Sequence, residues 1–220
     1  MVRNAQRFHG WIAGAGTSSG TRIVLGHWPR SPFGPFSDVM LERADGQRLL
    51  LAPSRRIADF VAAVYRFDRV LVVPVAVDAA GRHWHVAAGP LRMSLTTGRR
   101  GGLGLLLRCV PAPLAARPAW VALTDLPARL MPGVRTRGSA GGGYQEWYGV
   151  RDLRGITGIE ASWEGRDLGP LAPVDPPVRF GFGSAPRTPA LVRVVTTVAG
   201  PHGPSAPAPA SAPASGRRDL

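Results

Sequence analysis

Residues 36–52, FSDVMLERADGQRLLLA, decide how the rest of the chain reads. Phe36–Arg43 and Arg48–Ala52 are two runs of strand-forming residues. Asp45-Gly46 separates them, and Asp-Gly between such runs signals a hairpin, because its turn positions favour positive φ. A helix is expected next. Ser54 suits an N-cap, and Ile57, Phe60, Val61, Val64 and Tyr65 recur at the spacing of one helical face, with Arg55, Arg56 and Asp59 pointing elsewhere.

The strand signal continues in both directions. Upstream, Thr21–Trp28 (TRIVLGHW) is β-branched and aromatic, and a proline-punctuated segment joins it to Phe36. Downstream, Arg69–Val77 (RVLVVPVAV) reads as one strand with an edge or bulge at Pro74. Asp78–Gly81 makes a turn, and Arg82–Gly89 and Leu91–Thr97 continue the meander. Leu103–Val110 and Ala119–Met131 have a helical pattern, with Pro118 near a helix start and Pro127 as a break. Strands are expected again at Gly143–Val150, Gly155–Glu164, Val178–Gly183 and Leu191–Val198. The expected fold class is α+β, mainly antiparallel β: a curled sheet or barrel-like meander with two or three packed helices. Residues 1–199 form a single β-rich globular domain in this reading. Residues 200–220, rich in Pro, Ala and Ser, form a disordered tail.

Four segments carry a resemblance: SPFGPFSDVM (31–40), DGQRLLLAPS (45–54), MPGVRTRGSAGGG (131–143) and VDPPVRFGFGSAPRTP (174–189). Together they resemble a group of uncharacterised actinobacterial proteins, which implies a compartment but no activity. The acetoacetate-decarboxylase-like barrels are similar to the expected architecture. Their catalytic lysine has no counterpart here, so that activity does not transfer, and fold alone does not fix function.

Composition removes whole classes of chemistry. All 27 basic residues are arginine. Without a side-chain amine there is no Schiff-base aldolase, no pyridoxal-phosphate enzyme and no lysine-bearing phosphate loop. Codon bias in a GC-rich genome accounts for such a composition and discounts the net charge of +13 as a functional signal. Cys109 is the only cysteine, so neither an intrachain disulfide nor a multi-cysteine zinc site can form. The N-terminus lacks the apolar core of a signal peptide, and no run reaches the roughly 18 apolar residues of a membrane span. The expected location is cytoplasmic. No motif calls for a cofactor.

Gly16–Gly20 matches G-x-S-x-G, but a strand follows the serine where a nucleophile elbow needs a helix, so a turn is expected there. His83 and His85 flank Trp84 on a strand, which puts both imidazoles on one face and the indole on the other. Facing inward, they would be the best acid/base pair in the chain, with Glu160 as partner; facing outward, they are a polar pair on a hairpin. No third ligand is brought to them, so no metal site is assigned. Residues 79–145 hold nine arginines and one acid, Asp125. A face of that sign attracts phosphate in nucleic acid or anionic lipid. GVRTRGSAGGG (133–143) combines Arg135 and Arg137 with a glycine-rich loop that could cradle an anion. Trp28, Trp84 and Trp147 could form apolar walls beside it.

Three functions follow as expectations. The first is binding of a small anionic, partly apolar molecule in a barrel-like pocket, by Arg135, Arg137, Trp28, Trp84 and Trp147. The second is an enzyme on the same scaffold using His83, His85 and Glu160. The third is a basic surface for nucleic acid or anionic lipid.

Overall fold

The computed structural model describes residues 5–108, 137–139, 143–181 and 185–200, with side chains omitted at 137–139. Ten strands follow one another across a single curled sheet. The first half contains β1 (Ala5–Thr17), β2 (Arg22–Arg30), β3 (Phe36–Glu42), β4 (Arg48–Ala52) and β5 (Arg69–Val72). Helix α1 (Arg55–Val64) joins β4 to β5. The second half contains β6 (Val75–Ala80), β7 (His83–Ala88), β8 (Leu91–Thr97), helix α2 (Gly102–Arg108), β9 (Arg137–Ser139), β10 (Gln145–Trp163), β11 (Arg166–Asp167), β12 (Leu171–Ala172) and β13 (Ala190–Ala199). The strand order is β5-β4-β3-β2-β1-β13-β10-β8-β7-β6. Short strands β9 and β11 pair with β10, and β12 pairs with β1. The α+β class and the curled sheet expected from the sequence are what the structure has.

Several local expectations change. The β3–β4 turn places only Gly46 at positive φ, +85°. Arg43 and Gln47 close it by a backbone bond, and Asp45 Oδ1 accepts from the Gln47 N–H at 2.9 Å. Asp45 therefore acts through its side chain, and glycine alone supplies the left-handed residue. RVLVVPVAV is two strands, not one. The chain leaves β5 at Val73-Pro74 and begins β6, and these two strands lie at opposite ends of the strand order. β4 and β5 pair in parallel, the α1 crossover making this possible, so the sheet is not a pure meander. The two strands expected at 143–150 and 155–164 are one continuous strand, β10, which pairs with β13 through its first half and with β8 through its second. A bulge at Arg151 lies between the Val150 and Asp152 pairings. Residues 178–181 are not a strand; they run over the sheet as a covering segment.

The helical expectation over 103–110 matches α2 as far as Arg108. The expectations for Cys109, 119–131, Phe182 and the tail at 201–220 lie outside the described residues.

Both faces of the central strands are apolar, and each meets a different partner. One face carries Ile23, Leu25, Val39, Leu41, Leu49 and Leu51, packed with Trp84, Val86, Met93 and Leu95 from the other half of the sheet. This is the sheet curling onto itself. The opposite face carries Phe8, Trp28, Leu50, Tyr148, Val194 and Val198 and is covered by α1 through Ile57, Phe60, Val61 and Val64. Ser54 caps α1 as expected, accepting from the Ile57 N–H at 3.4 Å. Val174, Val178, Phe180 and Ala185 complete the cover.

Candidate functional site

A cavity of about 70 Å³ lies between the sheet and this cover. Its walls are largely apolar: Phe8, Ile12, Val24, Phe60, Val61 and Phe180 are among them. An engineered apolar cavity of roughly 150 Å³ accommodates benzene, so this space suits a smaller molecule.

Two carboxyl groups line it. Asp38 comes from β3 and is 4% exposed. Its partner among the described residues is Trp28, whose indole Nε1–H donates to Oδ1 at 3.1 Å. The bond exists because residue 26, between the two in space, is glycine. A Cβ there would lie 2.6 Å from Asp38 Oδ1 and 2.6 Å from Trp28 Nε1. Burial pushes the Asp38 carboxyl up to about 7, the indole bond offsetting only part of the desolvation.

Glu146 comes from β10, four strand steps from Asp38 in the sheet order, and is 2% exposed. Tyr65, the residue that ends α1, donates its hydroxyl to Glu146 at 2.8 Å from Oε1 and 2.7 Å from Oε2. The Tyr65 and Tyr148 hydroxyls are 3.1 Å apart. Burial raises Glu146 to about 7, while its hydrogen bonds from Tyr65 and Tyr148 pull the other way. Burial and the neighbouring carboxylate hold the Tyr65 phenol well above its ordinary value, so it remains a donor. Thr196 also faces the cavity, and its Oγ1 is buried with no hydrogen-bond partner among the described residues. No arginine or histidine is among the described lining residues. The chemistry on offer is therefore two carboxyls partly protonated near neutral pH, two phenols, an indole N–H committed to Asp38 and one unused hydroxyl.

The sequence-predicted residues are distributed otherwise. Trp28 does line the cavity. Trp84 is buried on the opposite face, edge-on to Trp11 at 5.8 Å and to His27 at 5.6 Å. Trp147 alternates with Glu146 and Tyr148 along β10 and is half-buried outside the cavity lining. Arg135 lies outside the described residues, as does the side chain of Arg137. His83 and His85 are exposed, and neither lines the cavity. His85 Nδ1 is 2.9 Å from Ser94 Oγ, and His83 Nδ1 is 3.3 Å from Thr96 Oγ1. Glu160 does share a cross-strand row with Ser94 and His85, but it too is exposed. The inward-facing condition for His83 and His85 as an acid/base pair is not met: the indole of Trp84 takes the inside, as its larger apolar area dictates. The G-x-S-x-G segment is the β1–β2 turn, with Gly20 at φ +80°. Among the described residues no three His, Cys, Asp or Glu side chains gather in a way that could hold a metal ion. No described helix is long and apolar enough to cross a membrane.

Sequence reasoning missed Asp38, Glu146, Tyr65 and Tyr148 as a site. A signal was present. Asp38 shares a strand face with Phe36 and Met40 while buried Val39 and Leu41 fill the other, and Glu146 shares its face with Tyr148. A carboxyl at such a position has no solvated side to turn to. Compared with protein-family models, with curated proteins and with solved structures, the chain matches none.

Proposed function

We propose that the protein binds a small, mainly apolar molecule in the cavity beneath α1, with its one polar head against Glu146, Tyr65 and Tyr148. The observation that supports this most directly is the Glu146 carboxyl, held by Tyr65 at 2.7 Å at the wall of an apolar cavity that, among the described residues, no basic side chain lines. A buried carboxyl without a counter-charge is costly, and a ligand that donates a proton or carries a positive charge relieves that cost. The head group is therefore a hydroxyl or an amine. An anion, the head group expected from Arg135 and Arg137, would meet two carboxyls in this cavity.

Matched probes test this. Isobutanol, isobutylamine and isobutyrate share one carbon skeleton and differ in head group. The reporter is the Trp28 indole N–H resonance at neutral pH. The alcohol and amine are expected to shift it saturably, and Glu146→Gln is expected to weaken the amine at least about tenfold, or 1.4 kcal/mol. Equal binding of isobutyrate, or a Glu146→Gln variant that binds the amine as the parent does, would overturn the reading.

A second reading is favoured by the Glu146 value of about 7. A carboxyl poised there can give or take a proton near neutral pH, which suits general acid–base catalysis on the bound molecule. Deuterium incorporation next to the carbonyl of a small ketone in heavy water, lost in Glu146→Gln, would support it; no exchange above solvent would end it for carbonyl substrates.

A further inference from the structure

A group of cations sits on the opposite face of the same central strands, away from the cavity. Two irregularities in the strand ladder build it. The β1–β2 register shifts between His9 and Trp11, which sets Arg30 directly across from His9. The β10–β13 register skips Arg151, so Val150 and Asp152 pair while Arg151 is left out of the ladder. Bulges of this kind re-aim a side chain. Arg193 lies between these features, across from Trp11 on one side and Asp152 on the other. Its guanidinium sits 5.7 Å over the Trp11 ring, which fixes it in place.

Among the described residues Arg7, Arg30, Arg151 and Arg193 have no ion-pair partner, although seven other arginines do. Asp152, the acid nearest in register, is taken by Arg100 at 2.9 Å and Arg154 at 3.7 Å. Arg151 is half-buried, and its Nε is fully buried with no hydrogen-bond partner among the described residues. A buried cationic donor left unpaired is costly, and an oxyanion removes that cost. Burial, and after it the charges of Arg30, Arg151 and Arg7, hold the His9 imidazole below its usual range. Burial, and after it Arg193 and Arg30, lower Arg151 in the same way.

We propose that Arg30, Arg151 and Arg193, with His9 beside them, form a binding site for a phosphate group. A dianion offsets the accumulated charge better than a single carboxylate does, and its oxygens match the forked donors of arginine. The site is separate from the cavity beneath α1, so it stands or falls independently of the ligand proposed there.

The His9 imidazole reports on the site directly. Its titration is followed by NMR in the full chain at constant ionic strength, with sodium phosphate replacing sodium chloride. Phosphate is expected to raise the His9 midpoint by about 1 pH unit, as an opposite charge within a few ångströms does. Arg30→Gln and Arg193→Gln, both at exposed positions, are expected to weaken that effect at least tenfold without unfolding the protein. Arg151→Gln should abolish it. A His9 midpoint that ignores phosphate would overturn the site. So would a shift of equal size in the Arg30→Gln and Arg193→Gln variants, or saturation only at concentrations where chloride acts equally. Methyl phosphate and inorganic phosphate then separate the sources. Equal or tighter binding of the ester assigns the site to a phosphate monoester, and preference for the inorganic ion assigns it to free phosphate.

Discussion

The Trp28 indole N–H reaches the buried Asp38 carboxyl at 3.1 Å through the gap left by Gly26, two residues back on its own strand. Indole and carboxyl belong to adjacent strands, β2 and β3, and the bond holds one wall of the cavity in shape. Gly26→Ala would place a methyl 2.6 Å from both bonded atoms. The expected result is loss of the bond and destabilisation of roughly 1–3 kcal/mol, the range for overpacking a tight core. Chemical denaturation and the Trp28 indole resonance measure the two effects separately. Gly155→Ala, where a Cβ meets nothing within 4 Å, is the matched control and is expected to be neutral or mildly stabilising.

The two raised carboxyls make stability depend on pH in an unusual direction. Asp38 and Glu146 stand at about 7 when folded, against ordinary values of 3.8 and 4.5. Between roughly pH 4 and pH 7 the native state thus binds more protons than the unfolded chain, and stability falls as pH rises through that window. Above it the loss is complete and constant. Asp38→Asn and Glu146→Gln remove the charge and keep hydrogen-bonding capacity. Each is expected to stabilise the protein by a few kcal/mol at pH 8 and to change little at pH 4. Urea midpoints at both pH values decide this, and a variant equally stable to the parent at pH 8 would contradict the buried-carboxyl assignment.

Glu42 is fully buried and holds two arginines, Arg22 at 2.8 Å and Arg179 at 2.9 Å, while also accepting from the Arg179 backbone N–H at 2.7 Å. Through Arg179 it ties the covering segment to the C-terminal end of β3. Glu42→Leu would leave the Arg22 guanidinium buried without a counter-charge, at an expected cost of about 3–5 kcal/mol. Replacing Arg22 by Met as well should recover part of that loss, and a double-mutant cycle in denaturant reads the coupling.

His83→Ala and His85→Ala act on exposed side chains whose contacts are surface hydroxyls. Both are expected to leave stability within about 0.5 kcal/mol of the parent. Binding of isobutylamine should also be unaffected. A loss of binding in either variant would return these residues to the functional site.

Much of the architecture is legible in short segments. The apolar face of residues 57–64 and the Ser54 cap give α1, and the strand runs at 21–28, 36–43, 48–52, 82–89 and 91–97 match observed strands to within a few residues. The break at Val73-Pro74 was visible only as a proline. That β5 and β6 go to opposite ends of the sheet order is a matter of long-range pairing, which no local propensity encodes. Likewise Gly155 reads as a strand boundary, yet β10 passes straight through it because β13 and β8 take successive halves of the same strand.

The sequence by itself determined the α+β class, the absence of any lysine chemistry and the Ser54-capped helix over the sheet. These depend on residue type and on spacing along a few turns or strand repeats. Only the tertiary structure decided which polar groups meet. Tyr65 and Glu146 are 81 residues apart in sequence, and they bond because α1 crosses the face to which β10 contributes. Arg30, Arg151 and Arg193 come from three strands brought side by side, or nearly so, by the order β2-β1-β13-β10. Alternation fixes which residues share a face within a strand, but which strands become neighbours is fixed by the burial of the whole sheet, and that energy is not local to any segment.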